Sequence, residues 1–186
     1  MKRCLLLLSF LVALGGCSIR FVSDYDEVID KGIAEFSEQL GGHIKNMGEL
    51  GGRPEGTYDA NLKTYNALEA ELDVLIDRAN SAAAGKGCQL EDKVFQHISS
   101  VMNSRIPVGI QQGTGATPKT ASACNARLLV IVREQLFLIR EIHKTTDKCG
   151  KANISCLRPA TARSAMAIAN QSINAVSVVE AAKKSL

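Results

Sequence analysis

The sequence contains no tryptophan, three tyrosines and five phenylalanines, and aromatics make up 4% of its 186 residues. Aromatic platforms for single-stranded nucleic acid or sugars have little to be built from here. A charge of one sign is missing too. Twenty-two Lys and Arg face 19 Asp and Glu, a formal net charge of +3, which gives no electrostatic footprint for nucleic acid. Recognisable catalytic and metal motifs are also lacking. His43, His97 and His143 lie in different segments, outside any two-histidine helical zinc motif or haem-attachment motif. No serine sits in a nucleophile elbow. The sequence therefore names no catalytic residue, no metal ligand and no cofactor.

What is present begins at the amino terminus. Lys2 and Arg3 precede an apolar run from Cys4 to Leu14, about as long as a signal-peptide core and too short to span a membrane. Leu14-Gly15-Gly16-Cys17 closes the run. This pattern resembles the lipobox of bacterial lipoproteins. The resemblance implies a diacylglyceryl group on the Cys17 thiol, cleavage after Gly16 and acylation of the new amine. It covers the first 17 residues only. An ordinary signal peptide would leave five cysteines, an odd number in a secreted chain. With Cys17 lipidated, Cys88, Cys124, Cys149 and Cys156 remain, enough for two disulfides in an oxidising compartment. Ser18 follows the lipidated cysteine. By resemblance to enterobacterial sorting, the lack of aspartate there points to the outer membrane, facing the periplasm.

The expected domains are a cleaved signal at 1–16, an anchor and short tether at 17–23, and one helical domain at 24–186. Cleavage removes two basic residues and leaves 170 residues with a net charge of +1. Residues 18–23 reach at most about 20 Å, which keeps the domain close to the membrane.

Four long helical patterns follow. The first runs from about Asp24 to Met47, with Ser23 and Asp26 as a capping-box-like start and Tyr25, Val28, Ile29, Ile33, Phe36, Leu40 and Ile44 at helical spacing. Gly41-Gly42 weakens its end. The glycine-rich stretch up to Gly56 lacks the strand, lysine and spacing of a phosphate loop and reads as a connector. The second helix runs from Thr57 to about Ala83, its stripe formed by Tyr58, Leu62, Tyr65, Leu68, Leu72, Leu75, Ile76 and Ala79. Glu69, Glu71, Asp73 and Asp77 lie off that stripe and read as a solvated face. A short helix is expected over Leu90–Asn103, then a loop from Arg105 to Thr120, which reads as a crossover or as a binding loop.

The third long helix runs from about Ala121 to Lys148. Leu128, Ile131, Val132, Leu136, Leu138, Ile139 and Ile142 share one broad face at about 100° per residue. Val130 and Phe137 fall on the charged side. Either they pack against the short helix or they form an exposed partner contact, together with Ile106, Val108 and Ile110 of the loop. The last helix runs from Pro159 to Lys184, with Ala165, Ala169, Ser172 and Val176 as a small-residue ridge beside Ile168, Ile173 and Val179. The fold expected is all-α: an up-down-up-down four-helix bundle with the short helix in the crossover between the second and third long helices. Helix order then pairs Cys149 with Cys156 and Cys88 with Cys124, at opposite ends. A zinc site is the rival reading of these cysteines, against which stand their spacing and the oxidising compartment.

The function expected is a non-catalytic interaction or structural component of the bacterial envelope. It is held to the membrane by the Cys17 lipid and contacts another envelope protein, with no nucleic acid. The alternative is a binder of an apolar small molecule or lipid within the helices; an enzyme comes third. A filled core favours the first, a connected apolar cavity the second, and convergent titratable groups in a cleft the third.

Overall fold

Helical periodicity dominates the chain, and its computed structural model is mostly helical. The structure describes residues 24–82 and 124–184. The signal, Cys17, the tether, Cys88, the short helix and the 105–120 loop with Ile106, Val108 and Ile110 all lie outside the described residues. The described residues form four long helices: α1 (Glu27–Glu49), α2 (Tyr58–Ala82), α3 (Cys124–Glu141) and α4 (Pro159–Lys183).

Local chemistry sets each start. Asp26 is the N-cap of α1, its carboxylate accepting from the amides of Val28 and Ile29, so orphan amides of the first turn are satisfied. α1 continues through Gly41-Gly42 to Glu49, two residues past the expected end. Burial of Ile44 and Met47 holds that last turn against the glycine cost. Thr57 precedes α2 and caps it through Oγ1, which accepts from the Ala60 amide at 3.4 Å. Pro159 opens α4, where its missing amide hydrogen costs nothing.

The apolar stripes meet in one core. Ile29, Ile33, Phe36, Leu40 and Ile44 of α1 are buried against Tyr65, Leu68 and Leu72 of α2, and with Leu129, Ile139, Ala169 and Val176 they form a single cluster. Each such large side chain contributes about 1.5–3 kcal/mol by leaving water. Two stripe members depart from expectation: Val28 is 48% exposed and Leu62 37%. α1 packs on α2 and α4, and α3 packs on α2 and α4. Ion pairs fix the direction of one contact. Arg133 meets Asp73 at 2.7 Å and Arg140 meets Glu69 at 2.9 Å, so α2 and α3 run antiparallel. Two of the four acids read as a solvated face are therefore cross-helix partners.

The third helix ends earlier than expected. Its α portion stops at Glu141, and a π turn covers Ile142–Thr146. A two-residue strand β1 (Lys148–Cys149) then pairs antiparallel with β2 (Ile154–Ser155). Periodicity cannot show this hairpin, because its strands are too short to carry a pattern. The Cys149–Cys156 disulfide closes it, with Cα atoms 5.8 Å apart; by loop entropy it contributes roughly 2–3 kcal/mol. Asp147 completes the join to α4, its carboxylate accepting from the Arg158 amide at 2.9 Å. The hairpin docks on the α1–α2 turn through two glycines. Gly52 (φ +87°) and Gly150 (φ +70°) face each other so closely that a Cβ on Gly150 would lie 3.3 Å from the Gly52 carbonyl oxygen. Among the described residues, no helix is long and apolar enough to cross a membrane.

Candidate functional site

The hairpin end of the molecule gathers its buried polar groups around Tyr65. This residue projects from α2 into the core and is fully buried. Its hydroxyl lies 2.9 Å from Nδ1 of His143, in the π turn. His143 Nε2 lies 2.9 Å from the carbonyl oxygen of Gly56. A carbonyl only accepts, so Nε2 carries the hydrogen; Nδ1 of the neutral ring then accepts from Tyr65. His43, on α1, meets the edge of the Tyr65 ring at 4.7 Å and 89°. Its Nε2 has no hydrogen-bond partner among the described residues.

Burial governs the protonation of this cluster. Desolvation pushes His43 down to about 4, and His143 adds to the effect. Desolvation also lowers His143, against the pull of its Gly56 hydrogen bond and of Asp147. The Tyr65 phenol is pushed up by burial. Both imidazoles are neutral at pH 7. Tyr58 stacks over Tyr65 with ring centroids 6.0 Å apart and separates the cluster from a cationic rim. Arg140 donates through Nε to the Tyr58 hydroxyl at 2.9 Å, and Arg140 and Lys144 both lie over its ring, at 5.9 and 5.7 Å. With Tyr65 and His143 bonded to each other and shut from water, this arrangement pins α1, α2 and the π turn together. It offers no nucleophile to a substrate.

A second polar cluster closes the other end. Glu180 of α4 is fully buried and accepts from the Asn125 side-chain amide, from Lys183 Nζ at 2.8 Å and from the backbone amide of Asp26 at 3.1 Å. Arg78, near the end of α2, donates through Nε to both oxygens of Asp26, at 2.9 and 2.8 Å. Lys184 reaches Asp30 at 2.9 Å and lies 4.5 Å over the Tyr25 ring. The chain thus enters α1 bonded to the ends of α2 and α4. A third feature is a cleft of about 480 Å³ between α3 and α4.

No family model, no curated protein and no solved structure matches the chain.

The site residues expected from sequence divide as follows. Cys149 and Cys156 are bonded to each other. Cys124 is disulfide-bonded, and Cys88, its expected partner, lies outside the described residues, as do Cys17, Ile106, Val108 and Ile110. Val130 corrects the exposed-contact alternative: it is only 6% exposed and belongs to the core. Its helix is buried on more than one side, with Leu128 through Val132 all inward, so the charged side was narrower than the periodicity suggested. Phe137 is half-buried. Among the described residues, no group of His, Cys, Asp or Glu is placed to hold a metal.

The Tyr65 cluster was missed. Its histidines lie far apart in sequence, and pattern reading treats such residues singly. One signal was legible: His43 follows Phe36 by seven residues and so occupies a slot in the buried stripe of α1.

Proposed function

We propose that this chain is a lipid-tethered, non-catalytic interaction component of the bacterial envelope, carried on Cys17 and probing its surroundings from the membrane surface, most simply at the outer membrane. Its helical domain is read as an up-down-up-down four-helix bundle, with a crossover bearing the short helix between the second and third long helices. A second disulfide, Cys88–Cys124, would hold the end opposite Cys149–Cys156. In support, α2 and α3 are antiparallel by their ion pairs, and Asp26 meets the ends of α2 and α4.

The observation that carries the reading is the fastening of the tether root. Residues 18–23 reach no more than about 20 Å, and at their end Asp26 is bonded to Arg78 and Glu180. Lipid on Cys17 would therefore hold the helices in one orientation. Their far end, with the Cys149–Cys156 hairpin, would point away from the bilayer toward a partner. The titratable cluster is sealed in the core, which favours interaction over catalysis.

The test is Cys17→Ala with metabolic palmitate labelling, followed by crosslinking in native membranes. The variant should lose label and accumulate as precursor, and crosslinks to an envelope protein should come from the hairpin end. Undiminished palmitate incorporation would remove the anchor; crosslinks confined to the Asp26 end would remove the orientation.

A further inference from the structure

One imidazole carries two of the ties that hold the hairpin end to the rest of the molecule. His143 is fully buried; its Nε2 donates to the Gly56 carbonyl and its Nδ1 accepts from Tyr65. The segment it belongs to, residues 143–156, is bracketed by Ile142 and Leu157, both members of the core cluster. Between those anchors the chain leaves the helix through the π turn and returns through the hairpin, which the Cys149–Cys156 disulfide keeps as one unit. Its other ties across the seam are the Tyr58 amide, donating to Ser155 Oγ at 3.1 Å, and the close approach of Gly52 and Gly150. Apart from the disulfide, the large apolar side chain of the hairpin, Ile154, is only half-buried. Little apolar surface therefore holds the segment down, which is the character of a unit that opens locally.

A second imidazole faces the same seam. His43 of α1 is 8% exposed and meets the edge of Tyr65, and its Nε2 has no hydrogen-bond partner among the described residues. Burial keeps both rings neutral. The groups facing the pair are the phenols Tyr65 and Tyr58 of α2, with Arg140 and Lys144 over the Tyr58 ring. The charges that act on the rings are each other's and that of Asp147. The Asp147 carboxylate is already held by the Arg158 amide at 2.9 Å and lies 3.9 Å from the Arg158 guanidinium. On α4, Arg163 is exposed, and Glu180 and Lys183 pair at the opposite end. A proton on His43 or His143 thus finds no uncommitted carboxylate among these groups, and a charged His143 no longer accepts from Tyr65 at Nδ1. Such a charge must be solvated, and the seam is where water can reach it without parting the helices.

We infer that the hairpin end is an acid-operated latch: protonation of the His43–His143 pair frees residues 143–156 from Tyr65 and Gly56, and the segment swings out between Ile142 and Leu157 while the four long helices stay packed. The helices stay because the ties at the other end, from Glu180 to Asp26 and Lys183, involve no histidine. His43 is held at about 4 in the closed state and returns to about 6.5 in water. The open form therefore gains protons below about 6.5, and a fall from pH 7 to pH 5 favours it about twentyfold through His43 alone. The opening does not depend on the Cys17 anchor; only its placement on the side facing a partner rests on that reading.

The experiment follows amide hydrogen exchange of the full-length protein in detergent, by peptide mass analysis at pH 7, 6 and 5, with rates corrected for the intrinsic effect of pH. Peptides within residues 52–58 and 143–156 should exchange at least tenfold faster at pH 5 than at pH 7. Dilute urea should leave that rate unchanged, because a local opening exposes little surface, whereas it speeds exchange of the helix cores. His43→Leu breaks no hydrogen bond at Nε2 and should cut the acceleration at least threefold. His143→Gln, which keeps a donor for the Gly56 carbonyl, should cut it likewise, with circular dichroism at pH 7 reporting the fold of both variants. No acceleration, an acceleration that urea enhances as it does in the helix cores, or an equal acceleration in His43→Leu would each overturn the inference.

Discussion

Tyr65 and His143 stand 78 positions apart in sequence and share a hydrogen bond of 2.9 Å in the core. The bond works in one direction. Gly56 holds His143 Nε2 as a donor, so Nδ1 can only accept from Tyr65 while the ring is neutral. Three segments, α2, the π turn and the α1–α2 connection, are tied through one imidazole.

Tyr65→Phe keeps the ring and its packing but removes the hydroxyl. His143 Nδ1 is then buried without a donor, a loss of about 1–3 kcal/mol. Urea unfolding of the variant should show a lower midpoint at an unchanged slope. An unchanged midpoint would mean that the bond contributes nothing.

Acid should weaken the fold before most carboxylates titrate. His43 titrates at about 4 in the folded state, against about 6.5 when unfolded. Below the unfolded value the unfolded chain binds more protons, so stability falls as pH drops from about 6.5 toward about 4. His143, also lowered, adds in the same direction. Unfolding measured at pH 7, 5.5 and 4.5 should show this decline, and His43→Leu should flatten it. An equal decline in the variant would assign the effect elsewhere.

Two glycines of the same region should respond oppositely to alanine. A Cβ on Gly56 would lie 2.3 Å from the Leu50 carbonyl oxygen, so Gly56→Ala forces the backbone apart and moves the acceptor of His143. A loss of about 1–3 kcal/mol is expected. Gly42 sits inside α1 with nothing within 4 Å of a new Cβ, and Gly42→Ala should stabilise by about 0.5–1 kcal/mol. Thermal melts of both variants read the two signs.

Glu180 is the buried anion of the opposite end. Glu180→Ala leaves Lys183, itself buried, without the carboxylate it contacts at 2.8 Å. Loss of one partner of such a pair costs about 3–5 kcal/mol. Replacing both, as Glu180→Leu with Lys183→Met, should cost less than the single change. Calorimetry of the two variants gives the order, and a more damaging double change would contradict it.

Much of the architecture was readable because burial in long helices imprints a period on the sequence. Ile29, Ile33, Phe36, Leu40 and Ile44, and on α2 Tyr65, Leu68, Leu72 and Leu75, stand inward as their spacing requires. The pairing of Cys149 with Cys156 followed from helix order. The hairpin around it did not, since Lys148–Cys149 and Ile154–Ser155 are too short to display alternation. The polar sites were illegible for a different reason. Glu180 meets Asp26 across 154 positions, and Tyr65, His43 and His143 come from three separate segments. Contacts of that kind depend on how helices are turned against each other, which periodicity alone leaves unspecified. The cleft is hidden in the same way: Thr161 and Ser164 come to line it only when α4 is set beside Leu138 and Ile142.

The fastening of Asp26 has a mechanical meaning. A pull on the leading segment does not arrive at the first turn of α1 alone, where it could peel that helix away one turn at a time. Arg78 grips the Asp26 carboxylate and Glu180 its backbone amide, so tension is passed at once to the ends of α2 and α4. Three helices share the load in parallel, and several bonds must break together before the domain yields.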